Sequence, residues 1–214
     1  MKVTAIVLAG GKSLRLGRNK ALEPFLGKSL IEHVVDRLRP LSAQLLIVTS
    51  GEQDLPPLDK TEALTDVYPG KGPLGGIYTG LLAARCSHSI VVGCDMPFIN
   101  TELLRSLADL APKFDVVIPR LSKEIIEPLH AVYAKSCLDK IKILLEKNQL
   151  EIHSLLNTLH IRYIKREECL RFDPQLRSFL NINNQTDLDR ALALANKSNE
   201  IDLHNMSAFP GELL

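Results

Sequence analysis

Val3-Thr4-Ala5-Ile6-Val7-Leu8-Ala9-Gly10-Gly11 begins with a short apolar run rich in β-branched side chains and ends in a glycine pair. Residues 3–8 show no polar face, the pattern of a strand buried on both sides. Such a strand belongs inside a sheet covered by helices, and the following segments supply both. Ser29 and Glu32 stand at capping-box spacing around Leu30, Ile31, Val34, Val35 and Leu38, and Pro40 ends the pattern, so a helix is expected over 30–39. Residues 45–49 read as a second buried strand and 63–67 as a weak third, ending in Asp66 and a Pro-Gly turn.

Pro73 suits the first turn of a helix that Ile77, Leu81, Leu82 and Ala84 continue toward Cys86. Residues 90–94 form another buried strand, with Asp95 at its carboxyl end. Further along, the patterns predict a helix over 101–110, strands over 115–119 and 129–134, and a helix over 136–146. A short helix over 153–158 and short strands over 160–164 and 179–182 follow, then a helix over 186–195 with Thr186 and Asp189 as a second capping box. Strands alternating with helices imply βαβ units: an α/β, three-layer domain with a largely parallel central sheet. The loops after Leu8, Thr49, Asp66 and Asp95 should then converge on one crevice at the carboxyl ends of the strands. One domain is expected over 1–195. The polar tail 196–214 lacks periodicity and leaves disorder or packing on a partner open.

The composition narrows the function. With 214 residues, 45% hydrophobic and 24% charged, the chain is long enough for a full core without a structural metal or disulfide. Lys plus Arg is 26 against 25 Asp plus Glu, so no global field attracts nucleic acid or an anionic membrane, and any phosphate chemistry must be local. Cys86, Cys94, Cys137 and Cys169 form no CxxC pair and read as free thiols. No run approaches a membrane span, and the first is too short for a signal peptide, so a cytoplasmic protein is expected. The histidines show no metal-ligand spacing, and no GxSxG elbow supports a serine hydrolase.

Local phosphate chemistry has a candidate in Leu8-Ala9-Gly10-Gly11-Lys12-Ser13-Leu14-Arg15-Leu16-Gly17-Arg18-Asn19-Lys20. Its glycines let backbone N–H groups approach a ligand, and Arg15, Arg18 and Lys20 add charge, as a polyphosphate requires. It is not a Walker A loop, since the opening glycine would fall at Ile6. Gly70-Lys71-Gly72-Pro73-Leu74-Gly75 offers a rival, a G-x-G-x-x-G with Asp95 about twenty residues on, as in a dinucleotide site of an NAD-dependent oxidoreductase. Against it stand the weak preceding strand, Tyr68-Pro69 at the entry and Pro73 in the turn. Asp66 and Asp95, both at expected strand ends, suit a magnesium ion held by one or two carboxylates and substrate phosphates.

The loop Leu8-Ala9-Gly10-Gly11-x-Ser13-x-Arg15-x-Gly17-x-x-Lys20 resembles the signature of nucleotidyltransferases, nearest to the MobA-like molybdenum cofactor guanylyltransferase family. Four further blocks in family order extend that resemblance over roughly residues 3 to 195: Gly72-Pro73-Leu74-Gly75-Gly76-Ile77, Cys94-Asp95-Met96-Pro97-Phe98, Glu127-Pro128-Leu129-His130-Ala131-Val132-Tyr133, and Asn181-Ile182-Asn183 before Thr186-Asp187-Leu188. The resemblance implies a Rossmann-like nucleotidyltransferase fold and transfer of GMP from GTP to molybdenum-molybdopterin, giving molybdopterin guanine dinucleotide and pyrophosphate. It implies Mg²⁺ as cofactor, and leaves proteins of molybdenum cofactor biosynthesis as candidate partners. By position, Leu8, Ala9, Gly10 and Gly11 would contact GTP, Arg15 and Lys20 the triphosphate, Asp66 the nucleotide and Asp95 the metal, with Asn183 nearby. The family's base-side residue aligns only loosely with Thr49 or Ser50. Leu16 replaces the family's usual Met, and Asn19 its Asp, which leaves the loop more basic. Gly10-Gly11 favours the guanylyl branch over cytidylyl relatives, which, with other phosphorylated acceptors, form the alternative. A non-catalytic binding protein that kept the fold is a further alternative.

Overall fold

In a computed structural model that describes residues 2–10, 19–51 and 55–207, with side chains as far as Asn196, Thr4–Leu8 forms β1 and all five of its residues are buried. A small hairpin, β2 (Pro24–Phe25) and β3 (Lys28–Ser29), leads into α1 (Leu30–Leu38), and β4 (Gln44–Thr49) and β5 (Glu62–Thr65) follow. Then come α2 (Gly72–Ala83), β6 (His88–Gly93), α3 (Thr101–Leu110), β7 (Val116–Arg120), β8 (His130–Ala134), α4 (Leu138–Glu146) and α5 (Ile152–Leu156). The described chain ends with β9 (Ile161–Lys165), α6 (Arg166–Cys169) and α7 (Gln185–Ser207).

Seven strands form one sheet in the order β5-β4-β1-β6-β8-β7-β9. β1 pairs in parallel with both β4 and β6, in register from Thr4 opposite Gln44 and Ser89 to Leu8 opposite Val48 and Gly93. Only β8 runs against its neighbours, so the sheet is largely parallel as expected. Alternate side chains of β1 serve opposite faces. Ala5 and Val7 join Ile31, Val34, Leu103 and Leu107 of α1 and α3. Ile6 and Leu8 join Leu74, Ile77, Leu81, Ile141 and Leu144 of α2 and α4. The three-layer expectation therefore holds, and the chain reverses its direction of winding beside β1.

The capping box of α1 forms, with the Ser29 backbone N–H and hydroxyl both bonding Glu32 Oε2, at 2.7 and 2.6 Å. Two expectations need correction. Residues 179–182 are not a strand: Arg177–Phe179 is a 3₁₀ turn, and the Ile182 N–H is spent on the carbonyl of Asp95 at 3.0 Å rather than on a ladder. The last helix is not capped by Thr186 and Asp189. The Asn184 side chain accepts from the Asp187 N–H at 3.0 Å, so α7 starts at Gln185, and its backbone stays helical to Ser207 instead of ending at 195. Its first half packs Leu188, Ala191 and Ala195 on Phe25 and Leu30.

Two buried details yield measurable consequences. A Cβ on Gly80 would lie 2.5 Å from Ile6 Cγ2, an atom fixed in the central strand. Gly80→Ala is therefore expected to destabilise the fold by about 1–3 kcal/mol in chemical denaturation, despite alanine's higher helix propensity; an unchanged midpoint would show that α2 can retreat from β1. His130 is fully buried against the Phe179 ring, with neither ring nitrogen hydrogen-bonded among the described residues, and burial pushes its pKa down to about 4. The unfolded imidazole takes its proton near pH 6.5, so the unfolded state binds more protons between pH 6.5 and 4 and stability falls as pH falls through that window. His130→Phe should remove a slope of at most about 1.4 kcal/mol per pH unit, read from urea midpoints at pH 7 and pH 5; parallel pH dependences in the two proteins would refute it.

Candidate active site

The carboxyl ends of β1, β4, β5 and β6 open into a cleft of about 900 Å³. Backbone bonds tie these ends together: Ala9 N–H to Val48 O at 2.8 Å, Asp66 N–H to Thr49 O at 2.8 Å, and Cys94 N–H to Leu8 O at 3.1 Å. Each strand thus delivers its first loop residue to a common rim. A side chain on Gly10 would meet only ordinary contact with Ser50 N at 3.5 Å, so that glycine leaves the cleft floor open rather than relieving a clash.

On one side of the cleft the Lys20 ammonium donates to Asp95 Oδ2 at 2.5 Å and to Asn183 Oδ1 at 2.6 Å. Lys20 opens a 3₁₀ turn capped by Asn19, whose Oδ1 accepts from the Ala21 N–H, while Ala21 is buried and anchors the turn. Asp95 follows β6, and its Oδ1 folds back over Gly93, where a Cβ would lie only 2.4 Å away. Asn183 is brought in by the bond from Ile182 N–H to Asp95 O, and its own N–H donates to Asp187 Oδ2 at 2.9 Å. Asp95, Asn183 and Lys20 thus meet although 163 residues separate the outer two.

Across the cleft, Asp66 is held by a second network. Its Oδ1 accepts from the Tyr68 N–H at 2.9 Å and from the buried Thr79 hydroxyl at 2.7 Å, and Thr79 Oγ1 accepts from the Val67 N–H at 3.0 Å. Gly75 makes room for this corner, since a Cβ there would lie 2.8 Å from Tyr68 O and 3.0 Å from Asp66 Oδ2. The glycines at 70–75 thus serve a turn with positive φ at Gly70 and Gly72 and a close helix approach. They follow a four-residue edge strand, which weakens the dinucleotide reading. Gly72, Pro73 and Gly76 line the cleft at the start of α2, whose first turn carries no acidic residue and no side-chain cap, so its partial positive end faces the cleft.

Of the residues singled out in the sequence, Leu8, Ala9, Gly10, Lys20, Asp66, Asp95 and Asn183 all line this one cleft, as do Thr49 and Ser50. Gly11 and Arg15 lie outside the described residues. Sequence reasoning missed Thr79, whose only trace was a hydroxyl on an otherwise apolar helix. Leu129, at the cleft wall, was missed as an individual contact. Near it Glu127 has its pKa pushed up to about 7 by burial. The Cys94 thiol, also at the wall, is pushed up to about 12 by burial and by Asp95, so it stays protonated and is no nucleophile.

No three His, Cys, Asp or Glu side chains converge on a metal position among the described residues. Asp95 Oδ2 and Asn183 Oδ1 nonetheless hold one cation, the Lys20 ammonium, between them. One carboxylate and one amide oxygen fit a hard ion such as Mg²⁺ that draws its other ligands from water and substrate phosphates, and do not fit a preformed zinc site.

Residues 5–162 match the family described as MobA-like NTP transferase domain. The molybdenum cofactor guanylyltransferase of Desulfosudis oleivorans is 34% identical over 193 residues, covering 89% of this chain and 95% of its own. The "Probable molybdenum cofactor guanylyltransferase" of Methanosarcina mazei is 36% identical over 206 residues, covering 90% and 91%. Among solved structures, molybdopterin-guanine dinucleotide biosynthesis protein A from Archaeoglobus fulgidus superposes with a TM-score of 0.78 at 30% identity, over 91% of this chain and all of that one. With the family match spanning most of the chain, and similar proteins aligned nearly end to end, the chain belongs to the MobA-like NTP transferase family.

Proposed function

We propose that the protein transfers GMP from GTP to molybdenum-molybdopterin, forming molybdopterin guanine dinucleotide and pyrophosphate, with Mg²⁺ as cofactor. The reading is supported above all by the convergence of Lys20, Asp95 and Asn183 at the β1–β6 crevice, in a chain whose relatives carry the guanylyltransferase name. No described helix is long and apolar enough to cross a membrane; we place the reaction in the cytoplasm, with proteins of molybdenum cofactor biosynthesis as the donors and recipients of its pterin.

The chemistry asks little covalent work of the protein. The acceptor phosphate is already anionic at neutral pH; one of its oxygens bonds to the α-phosphorus of GTP as the bond to the β-phosphate oxygen breaks, so no general base is required. The obstacle is charge. Among the described residues the cleft offers two carboxylates and one ammonium, and the basic residues Arg15 and Arg18 adjoin it in sequence. Mg²⁺ would supply the remaining neutralisation of the triphosphate and of the departing pyrophosphate. Asp95 and Asn183 would hold the ion, Lys20 and Arg15 the phosphates, and the Gly10–Gly11 backbone and the start of α2 the anionic oxygens. Asp66, with one oxygen fixed by Thr79 and Tyr68, presents the other to N–H or O–H donors of the nucleoside.

Thermal unfolding with GTP, CTP, ATP or NADH, each with and without Mg²⁺, tests the substrate. GTP at a hundred times its dissociation constant should add about 2.7 kcal/mol, or roughly 5–10 °C, in the presence of Mg²⁺. A shift with CTP alone would move the assignment to a cytidylyl relative, and one with NADH alone would restore the glycines at 70–75 as the fingerprint. In a turnover assay Asp95→Ala should lower kcat by about 10² or more. Near-normal turnover would remove Asp95 from the machinery.

A further inference from the structure

The two oxygens best suited to a divalent cation are engaged by a side chain of the protein itself. Lys20 Nζ lies 2.5 Å from Asp95 Oδ2 and 2.6 Å from Asn183 Oδ1, so an ion ligated by both oxygens and the Lys20 ammonium exclude one another. We propose that Lys20 is an exchangeable plug: without nucleotide its ammonium closes the cation position between Asp95 and Asn183, and a divalent ion enters only when an anionic polyphosphate draws Lys20 away. The identity of that polyphosphate as GTP rests on the function proposed above; the exchange itself does not.

Three observations carry the proposal. First, the backbone segments that carry the two oxygens are held by contacts that do not involve Lys20. The Ile182 N–H bonds the Asp95 carbonyl at 3.0 Å, the Asn183 N–H bonds Asp187 Oδ2 at 2.9 Å, and Asp95 lies over the side-chain-free Gly93. Asp95 and Asn183 therefore stay side by side when the ammonium departs. Second, the Lys20 and Asp95 side chains are only 17% and 19% exposed, so their ion pair escapes most of the screening that makes surface pairs weak. Third, no other carboxylate, histidine or cysteine completes a metal cluster there among the described residues, so the remaining ligands come from water or phosphate oxygens. Lysine suits the exchange because it carries a compact charge on a flexible four-carbon stem that can swing to a phosphate.

An ordered entry follows. Polyphosphate displaces Lys20 and the metal follows, and the protein alone binds free divalent ions only weakly. The apparent metal affinity of the nucleotide-free protein is reduced by the fraction of molecules in which Lys20 has left the position.

The test is a titration with Mn²⁺, a hard-ion probe whose free form is counted by electron paramagnetic resonance, on the full chain without nucleotide. Lys20→Met should bind Mn²⁺ about tenfold or more tightly than wild type. Adding either Asp95→Asn or Asn183→Ala should abolish the gain. Lys20→Gln serves as a second variant, and each protein is first checked for a native unfolding transition. Equal Mn²⁺ affinity of wild type and both Lys20 variants would overturn the plug. So would a gain that survives Asn183→Ala, because a lysine acting only as a distant positive charge would repel the ion without regard to that amide. No nucleotide is present, so failure of the GTP assignment, seen as the missing thermal shift, is read separately from failure of the exchange.

Discussion

The pairing of β1 with β4 on one side and β6 on the other constrains everything that the cleft contains. With both ladders parallel and in register, Leu8 and Gly93 end side by side, and the bond from Cys94 N–H to Leu8 O keeps the two exits together. One face of β1 is then covered closely by α2, with Gly80 resting on Ile6 where a Cβ would lie 2.5 Å away and Gly76 resting on Leu8. That close contact brings the first turn of α2 over the end of the sheet. Asp66 follows the end of β5 directly and Asp95 follows that of β6 after Cys94, and the Asp66 N–H is bonded to Thr49 O.

The cleft is organised around charge rather than around a nucleophile. Its cysteine is held protonated, no histidine lines it among the described residues, and its two aspartates are each engaged by neighbouring side chains. Asp66 is fixed by Thr79 and Tyr68, and Asp95, which needs the open space over Gly93, by Lys20. Such preorganised oxygens and amides serve a reaction whose barrier is the approach of two anions, and electrostatic positioning is the means by which such barriers are lowered. The Lys20 contact neutralises Asp95 within the same cleft.

Local chemistry made many elements readable in advance. Buried strands declare themselves by unbroken apolar runs, as in 3–8 and 90–94; Ser29 with Glu32 marks the start of α1 by a bond within one turn; Pro73 marks the start of α2 by its fixed φ. Elements whose partners are distant were misread. Residues 179–182 have strand-like composition, yet Ile182 gives its N–H to Asp95, far away in the chain. The cap of α7 is Asn184 rather than Thr186, a choice made where the turn leaves Asn183 against Asp187. The β2–β3 hairpin, two residues per strand, has too few positions to show any period. β8 reads as a buried strand, but nothing in its five buried residues tells whether it runs parallel or antiparallel to β6.

The sequence by itself determined the layer architecture and the glycine-rich segments, which follow from periodicity, capping and composition, while the list of residues able to meet at a phosphate site drew on the family resemblance, Asn183 wholly so. It could not state which of them touch. That Lys20 bonds both Asp95 and Asn183, that Thr79 orients Asp66, and that Gly75 serves a turn were decided by tertiary structure. The physical reason is range: a helix cap or a buried strand is specified within a few residues, whereas a contact across 163 positions exists only once the sheet has brought its strand ends to one edge.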